Sequence, residues 1–322
     1  MRRGAQAARI GYFGKLPSRS DFIKAADNPA LATLLDGWLA EVMNLVSAEP
    51  RWKLNYDAMR PLHFAFVGTR SRRAIAGHLA ASSDSSRRRY PFLSMSAIEV
   101  DAPASFVPRS PLILSPLWCE LDLLAEQVLD AIDPDAALQA LASTRVDVDA
   151  ASEQHALSFA DFLERHTVTA LEALLGSGCV RRTILAVGLL LQPVRRSGAE
   201  RLDKSLVLPL PLSERQRNLV AAFWLDLIAQ FLQQADFELS LFFAEVRGQP
   251  SLVIGFNGAA PETLAAIIDP HSAAEQQIHF DYTGWVDELI AGDARVQKLS
   301  AYLEQGQLSL RSVQALFHET FE

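Results

Sequence analysis

The sequence predicts an α+β protein: two mixed, mainly antiparallel sheet domains flanked by helices, joined by a helical bridge. Three observations point there. Short apolar runs rich in β-branched and aromatic residues come in pairs separated by turn residues, as in Leu62 to Val67 and Arg73 to Ala80. Apolar residues that recur every three or four positions mark amphipathic helices between them. The two patterns are segregated along the chain instead of alternating strand by helix, which argues against a doubly wound parallel sheet. With 322 residues the chain has room for about two average domains. The expected divisions are an α+β domain over 1–134, a helical connection over 135–178 and a second α+β domain over 179–322.

The first helix is signalled by Asn28-Pro29, a cap followed by a residue suited to the first turn. Leu31, Leu34, Leu35, Trp38, Leu39, Val42 and Met43 then draw one apolar stripe. Gly68-Thr69-Arg70-Ser71 joins the next two strands into a hairpin. After the Ser82 to Ser86 loop and an arginine run, Phe92 to Val100 predicts a further strand. A proline-studded crossing over Pro103 to Pro116 is expected to end the first sheet, with a helix starting at Ser115-Pro116 and stopping at Pro134. One helix is expected over Ser158 to Leu175, closed by Gly176-Ser177-Gly178.

In the second half, strands are expected at Thr183 to Leu191 and Ser205 to Leu210, around a polar loop with Arg195, Arg196, Gly198 and Lys204. Ser213 and Gln216 form a capping-box pattern ahead of a helix with Leu219, Val220, Phe223, Trp224, Leu227, Ile228, Phe231 and Leu232 on its apolar face. Glu238 to Val246 and Ser251 to Phe256 bracket Arg247-Gly248-Gln249-Pro250 as a second hairpin. Short helices at 261–268, 283–290, 293–303 and 309–321 should cover one sheet face. Trp285 is less clearly patterned and is a candidate groove residue.

Composition limits the function. Hydrophobic residues at 49% and charged residues at 21% suit packed cores. A net charge of −8 argues against a dedicated nucleic-acid binder. Cys119 and Cys179 form no C-x-x-C pair, so neither a disulfide framework nor a zinc site is expected, and a reducing compartment fits. The amino-terminal Arg2-Arg3 segment lacks the apolar core of a secretory signal, and no apolar run approaches the roughly 20 residues of a membrane span. A cytoplasmic location is expected.

Motifs for catalysis are missing. His63, His78, His155, His166, His271, His279 and His318 show no ligand spacing, no serine stands in G-x-S-x-G, and neither phosphate-binding glycine fingerprint occurs. Asp133, Asp135, Asp147 and Asp149 read as solvated loop charges. Neither an enzyme, a metal site nor a cofactor is expected. The clearest charge feature is Arg70, Arg72, Arg73, Arg87, Arg88 and Arg89, whose two parts a hairpin would gather at one end as a site for an acidic or phosphorylated partner.

The run Gly11-Tyr12-Phe13-Gly14-Lys15-Leu16-Pro17-Ser18-Arg19-Ser20-Asp21-Phe22 combines turn residues, aromatics and charge. Gly11, Gly14, Pro17 and Phe22 are expected to shape it. Lys15, Ser18, Arg19 and Asp21, with Arg87, Arg88 and Arg89, are the candidate partner-binding residues. This run, the helix bearing Asp36-Gly37-Trp38-Leu39, and the segment from Gly77-His78-Leu79 through Ser83-Asp84 and Arg88-Arg89 to Tyr90-Pro91-Phe92 together resemble the amino-terminal domain of the TagF (ImpM) family. The resemblance covers roughly the first 100 residues. It departs from the family at Ser85-Ser86-Arg87, where a hydrophobic-glycine-arginine step is frequent.

The resemblance implies an accessory protein of bacterial type VI secretion, a non-catalytic repressor acting after translation by binding the system's forkhead-associated scaffold protein. Baseplate or other regulatory proteins are further expected partners, with no nucleic acid and no membrane insertion. A structural component of the apparatus is one alternative. An unrecognised hydrolase or phosphatase is the other, since some relatives carry phosphatase modules, but the clustered aspartates of such a module are missing here.

Overall fold

The α+β class and the mainly antiparallel pairing hold, and the strands of the two halves meet in one sheet. The computed structural model describes residues 6–150, 153–197, 201–280 and 284–322. Arg2, Arg3, Gly198, Tyr282 and Thr283 lie outside them. In chain order, β1 (Gln6–Arg9), β2 (Gly11–Gly14) and β3 (Ile23–Ala25) precede α1 (Pro29–Ser47) and α2 (Trp52–Ala58). Next come β4 (Leu62–Gly68), β5 (Arg73–Ala80), β6 (Phe92–Glu99), α3 (Pro103–Asp130), α4 (Asp135–Ser143) and β7 (Arg145–Val148). Then follow α5 (Glu153–Arg165), α6 (Val168–Leu175), α7 (Val180–Ser197), β8 (Ser205–Pro209), α8 (Glu214–Leu232), β9 (Glu238–Val246) and β10 (Gln249–Gly255). The chain closes with α9 (Pro261–Ile268), α10 (Pro270–Gln276), β11 (Gln277–His279), α11 (Gly284–Gly292), α12 (Ala294–Glu304) and α13 (Leu310–Phe321).

Nine strands form one sheet in the order β11-β8-β10-β9-β4-β5-β6-β2-β3, while β1 and β7 pair apart from it. The two halves join where β4 runs antiparallel to β9, His63 opposite Phe243 and Gly68 opposite Glu238. The expected two sheets are thus the two ends of one. The residues explain the join. Along β9, Leu239, Leu241 and Phe243 enter one core while Phe242, Ala244 and Val246 enter the other. Along β4, Ala65 and Val67 face the first and Phe64 and Phe66 the second. Strands apolar on both faces belong in the middle of a covered sheet, because as edges they would leave greasy, unpaired backbone in water.

Both faces are therefore covered. On one lie α1 and α9, through Leu35, Trp38, Leu39 and Val42 with Leu264, Ala265 and Ile268. On the other lie α3, α7, α8 and α11 to α13. The last helices do not share one face as expected, since α9 turns to the α1 side. Trp285 packs half-buried against the larger core, not into a groove.

Two expectations fail for physical reasons. The stretch from Pro103 to Pro116 is the first half of α3, which keeps Pro108, Pro111 and Pro116 inside it. Each interior proline costs about 3 kcal/mol, but Phe106, Val107, Ile113, Leu114, Leu117, Trp118 and Leu121 bury a continuous helical face there. Ser110 Oγ also donates to Val107 O at 2.9 Å, the carbonyl that Pro111 leaves without its N–H. Thr183 to Leu191, expected as a strand, belongs to α7. Val180, Ile184, Val187, Leu191 and Val194 are all buried, a three-and-four spacing that only a helix places on one side.

Smaller differences follow local chemistry. The single helix expected over 158–175 breaks into α5 and α6 because Thr167 caps the second, accepting from the Ala170 N–H. Asn28 caps α1 as expected. Ser213 takes the cap position of α8 without a side-chain hydrogen bond, so the capping box is not made.

Candidate functional site

The opening run and the segment before β6 form one unit. β2 pairs with β6 so that Gly14 lies opposite Phe92. A Cβ on Gly14 would lie 2.2 Å from Pro91 O and 2.8 Å from Phe92 Cα, and its φ of 135° is one that side chains rarely adopt. Only glycine fits. The chain then turns through Leu16, Pro17 and Ser18, closed by the Arg19 N–H donating to Leu16 O at 3.0 Å.

Three hydrogen bonds fasten this turn to the second loop. Ser82 Oγ donates to Lys15 O at 2.7 Å, the Ser85 N–H to Arg19 O at 2.8 Å and Arg88 Nη2 to Ser20 O at 2.9 Å. From beneath, Tyr56 Oη donates to Ser82 O and accepts the Ser82 N–H, both at 3.0 Å. Three backbone carbonyls of the first segment are thereby satisfied by donors of the second.

At the centre of the unit sits an ion pair. Lys15 Nζ lies 3.0 Å from Asp84 Oδ2, with both side chains almost wholly out of solvent. Asp84 Oδ1 accepts the N–H groups of Ser86 at 3.0 Å and Arg88 at 2.9 Å, while Oδ2 also accepts from Arg88 Nε at 2.7 Å. Burial pushes the Asp84 carboxyl up, but the hydrogen bonds from Arg88 and Lys15 outweigh it and hold it well below the usual carboxylate range. The pair is ionised, saturated and structural.

The other predicted residues divide. Arg19 reaches the start of α4, pairing with Asp135 and, at 3.5 Å, with Asp133. Arg89 forms a two-pronged pair with Asp57 at 2.7 and 2.6 Å and holds that carboxyl below its ordinary value. Tyr90 is buried and donates to Asp36 Oδ1 at 2.6 Å. Trp38 is core, edge-on to Phe66 at 5.2 Å. Phe92 and Gly11 are buried in paired strands, and Pro91 is likewise out of solvent. Ser18 Oγ is buried without a hydrogen-bond partner among the described residues. Pro17, Asp21, Arg87 and Phe22 face solvent, Phe22 with 54% of its surface exposed.

The arginines do not converge. Arg70, Arg72 and Arg73 stand at the β4–β5 turn and Arg87 to Arg89 beyond the other end of β5. Eight strand residues separate them by roughly 25 Å. A hairpin joins the ends of its strands, but these two groups flank one strand.

Of the partners of these cations, Asp133 and Asp135 read in the sequence as solvated loop charges and Asp84 stands in the second motif, while Asp57 gives no signal. Asp57, Tyr56 and Ser82 carry no motif of their own. Asp84 was visible only as an acidic residue in the second motif to match the lysine in the first. Among the described residues no group of three or more His, Cys, Asp or Glu could hold a metal ion. Two further polar clusters lie elsewhere. His63 and His78 meet through their Nδ1 atoms at 3.1 Å, and His78 Nε2 lies 3.5 Å from Asp122 Oδ1. Burial, first of all, lowers the pKa of His63 to about 3 and of His78 to about 4, so at neutral pH His78 meets Asp122 uncharged. In the second half, Asp226 Oδ2 accepts from Gln314 Nε2 at 2.5 Å beside His318 at 3.7 Å, and burial raises its pKa.

No single helix among the described residues is long and apolar enough to cross a membrane. The bent pair α6 and α7 passes by composition only together, across a 101° break, and its apolar residues line the larger core.

Residues 11–144, β2 through α4, match the family model of the TagF N-terminal domain, described as type VI secretion system-associated. The crystal structure of PA0076 from Pseudomonas aeruginosa PAO1 is similar, with 21% identity over 46% of this chain and 76% of that one and a TM-score of 0.36. No curated protein matches.

Proposed function

We propose that this chain, whose residues 11–144 belong to the TagF N-terminal domain family associated with type VI secretion, is a non-catalytic regulator that acts by protein contact. One observation carries the reading. Four of the motif cations are held in ion pairs, Lys15 and Arg88 with Asp84, Arg19 with Asp135 and Arg89 with Asp57, while Asp21 and Arg87 face solvent. That arrangement fixes the two loops against each other and gives a rigid surface suited to protein contact. The partner is the forkhead-associated scaffold protein of the secretion system, the place of contact is the cytoplasm, and the effect is repression. No cofactor or metal takes part.

The test combines binding with secretion. Purified chain should bind the purified scaffold, deletion of the gene should raise secretion, and overproduction should lower it. Secretion that collapses on deletion would identify a structural component instead. Scaffold binding that is undetectable at micromolar protein would remove the proposed partner.

A further inference from the structure

We infer that Arg87, Phe22, Trp52 and Lys53 form a docking surface for an acidic segment of a protein partner that carries an apolar anchor. The inference rests on the proposed contact-acting function and adds where the contact is made and with what chemistry.

The first support is backbone geometry. Arg87 has a φ of 61°, in the left-handed region where a non-glycine residue is strained. The turn is held from below, for the Arg87 N–H donates to Asp84 O at 2.8 Å while Asp84 Oδ1 takes the N–H groups on either side. Glycine would sit there without strain. Arg87 holds this position with its side chain in solvent and no ion pair among the described residues, so its guanidinium is available to a partner.

The second support is an aromatic ledge beside that turn, carried on the consecutive residues Arg89 and Tyr90. Phe22 packs edge-on to Tyr90 with ring centres 4.8 Å apart, and Lys15 Nζ lies 5.0 Å from its centroid. The ring is fixed in place yet more than half exposed. Trp52 is half-buried, with the Arg89 guanidinium 6.0 Å and Lys53 Nζ 5.9 Å from its ring. Pre-positioned aromatics lose little freedom on binding and serve as anchors.

Charge selects the partner. Of the carboxylates around the ledge, Asp84 is engaged by Lys15 and Arg88 and Asp57 by Arg89, while Asp21 and Asp36 are exposed, Asp36 accepting from the Tyr90 hydroxyl. Against these stand the exposed cations Arg87, Arg51 and Lys53, on a chain of net charge −8. Such a patch complements carboxylate side chains. It is too narrow for a nucleic acid, whose phosphates call for a long basic stripe.

Two arms test the proposal. In the first, the full chain and its Arg87→Gly, Lys53→Glu and Phe22→Ser variants are titrated with the purified forkhead-associated scaffold. Arg87→Gly should raise the melting temperature, since it relieves the left-handed residue, and still weaken binding about tenfold. Wild-type affinity in all three variants would overturn the surface. In the second arm a photo-crosslinking residue replaces Phe22 in the native host. A crosslink mapped to an Asp- or Glu-rich stretch of a protein supports the inference, on the scaffold or elsewhere. If that protein is not the scaffold, the partner named under the proposed function fails while the surface stands. A crosslink to nucleic acid or to a basic segment, or none while the chain still co-purifies with its partner, overturns the surface and leaves the function intact.

Discussion

Two glycine-marked turns look alike in the sequence and differ in what holds them. Gly14, in the opening run, has Pro91 O and Phe92 Cα where a side chain would be, both from the segment that enters β6, far along the chain. Gly176, at the end of α6, has a φ of 60° and nothing within 4 Å of the missing Cβ. One glycine is required by a tertiary contact and the other by its own backbone. The first turn is a joint between distant segments. The second is a helix stop, whose N–H donates to Ala173 O at 3.4 Å while that of Ser177 donates to Glu172 O at 3.1 Å.

The sharpest way to break the comparison is Gly14→Ala. The new methyl group collides with the backbone of Pro91 and Phe92 and the φ is unfavourable, so the cost should be at least about 3 kcal/mol. Urea denaturation followed by tryptophan fluorescence measures it. A loss no greater than that of Gly176→Ala would mean that β2 is free to move away from β6, and the joint would not be rigid.

Lys15→Met is expected to give the next largest fall in melting temperature, because it leaves the Asp84 carboxylate buried beside backbone donors with one cation fewer. The second substitution Asp84→Asn removes the charge and keeps an oxygen for the Ser86 and Arg88 N–H groups. The double variant should therefore melt above Lys15→Met alone. Strict additivity of the two changes would deny the coupling between the loops.

A third effect is a pH dependence that arises between β4 and β5. His63 and His78 titrate at about 3 and about 4 in the fold, against 6.5 for the free side chain. Between those values the unfolded chain binds more protons than the folded one, so stability is full above 6.5 and is lost as pH falls below it. At pH 5 the loss is about 2 kcal/mol for each histidine. His63→Gln should remove one such share of the difference between urea midpoints at pH 7 and pH 5, whatever it does to stability at pH 7. An unchanged difference would show that His63 is protonated within the fold.

Legibility in the sequence follows the same division between local and distant causes. Asn28-Pro29, Ser309 and Pro261 announce their helices because cap and first turn are adjacent in the chain, and α1, α9 and α13 begin where those residues stand. The two hairpins were legible from Gly68-Thr69-Arg70-Ser71 and from Gly248. The single sheet was not, since nothing near Phe64 or Phe242 indicates that β4 and β9 are neighbours. Thr183 to Leu191 misled because a helix buried on most of its surface has too few polar residues to show its period. At the site, Lys15 and Arg88 were visible as cations. Their joint partner Asp84 was visible as a residue of the second motif, but its role depends on a fold that brings two loops together.

The smallest effect completes the comparison at its other end. Gly176→Ala places a methyl group in open space, so packing contributes nothing and the cost is that of one left-handed alanine, about 1 kcal/mol. Because α6 and α7 bury Val168, Leu171, Val180 and Ile184 in the larger core, the helix ends cannot drift far to relieve it. A Gly176→Asn variant should recover part of the loss, as asparagine tolerates this conformation better than alanine, whereas at position 14 the same substitution should be at least as damaging as alanine, because the obstacle there is Pro91 and Phe92. Rescue by asparagine at 176 and none at 14 is the expected pair of outcomes in parallel urea titrations. Rescue at both positions would show that Gly14 is held by backbone preference alone and that the joint between the two loops does not depend on the close approach of β2 to β6.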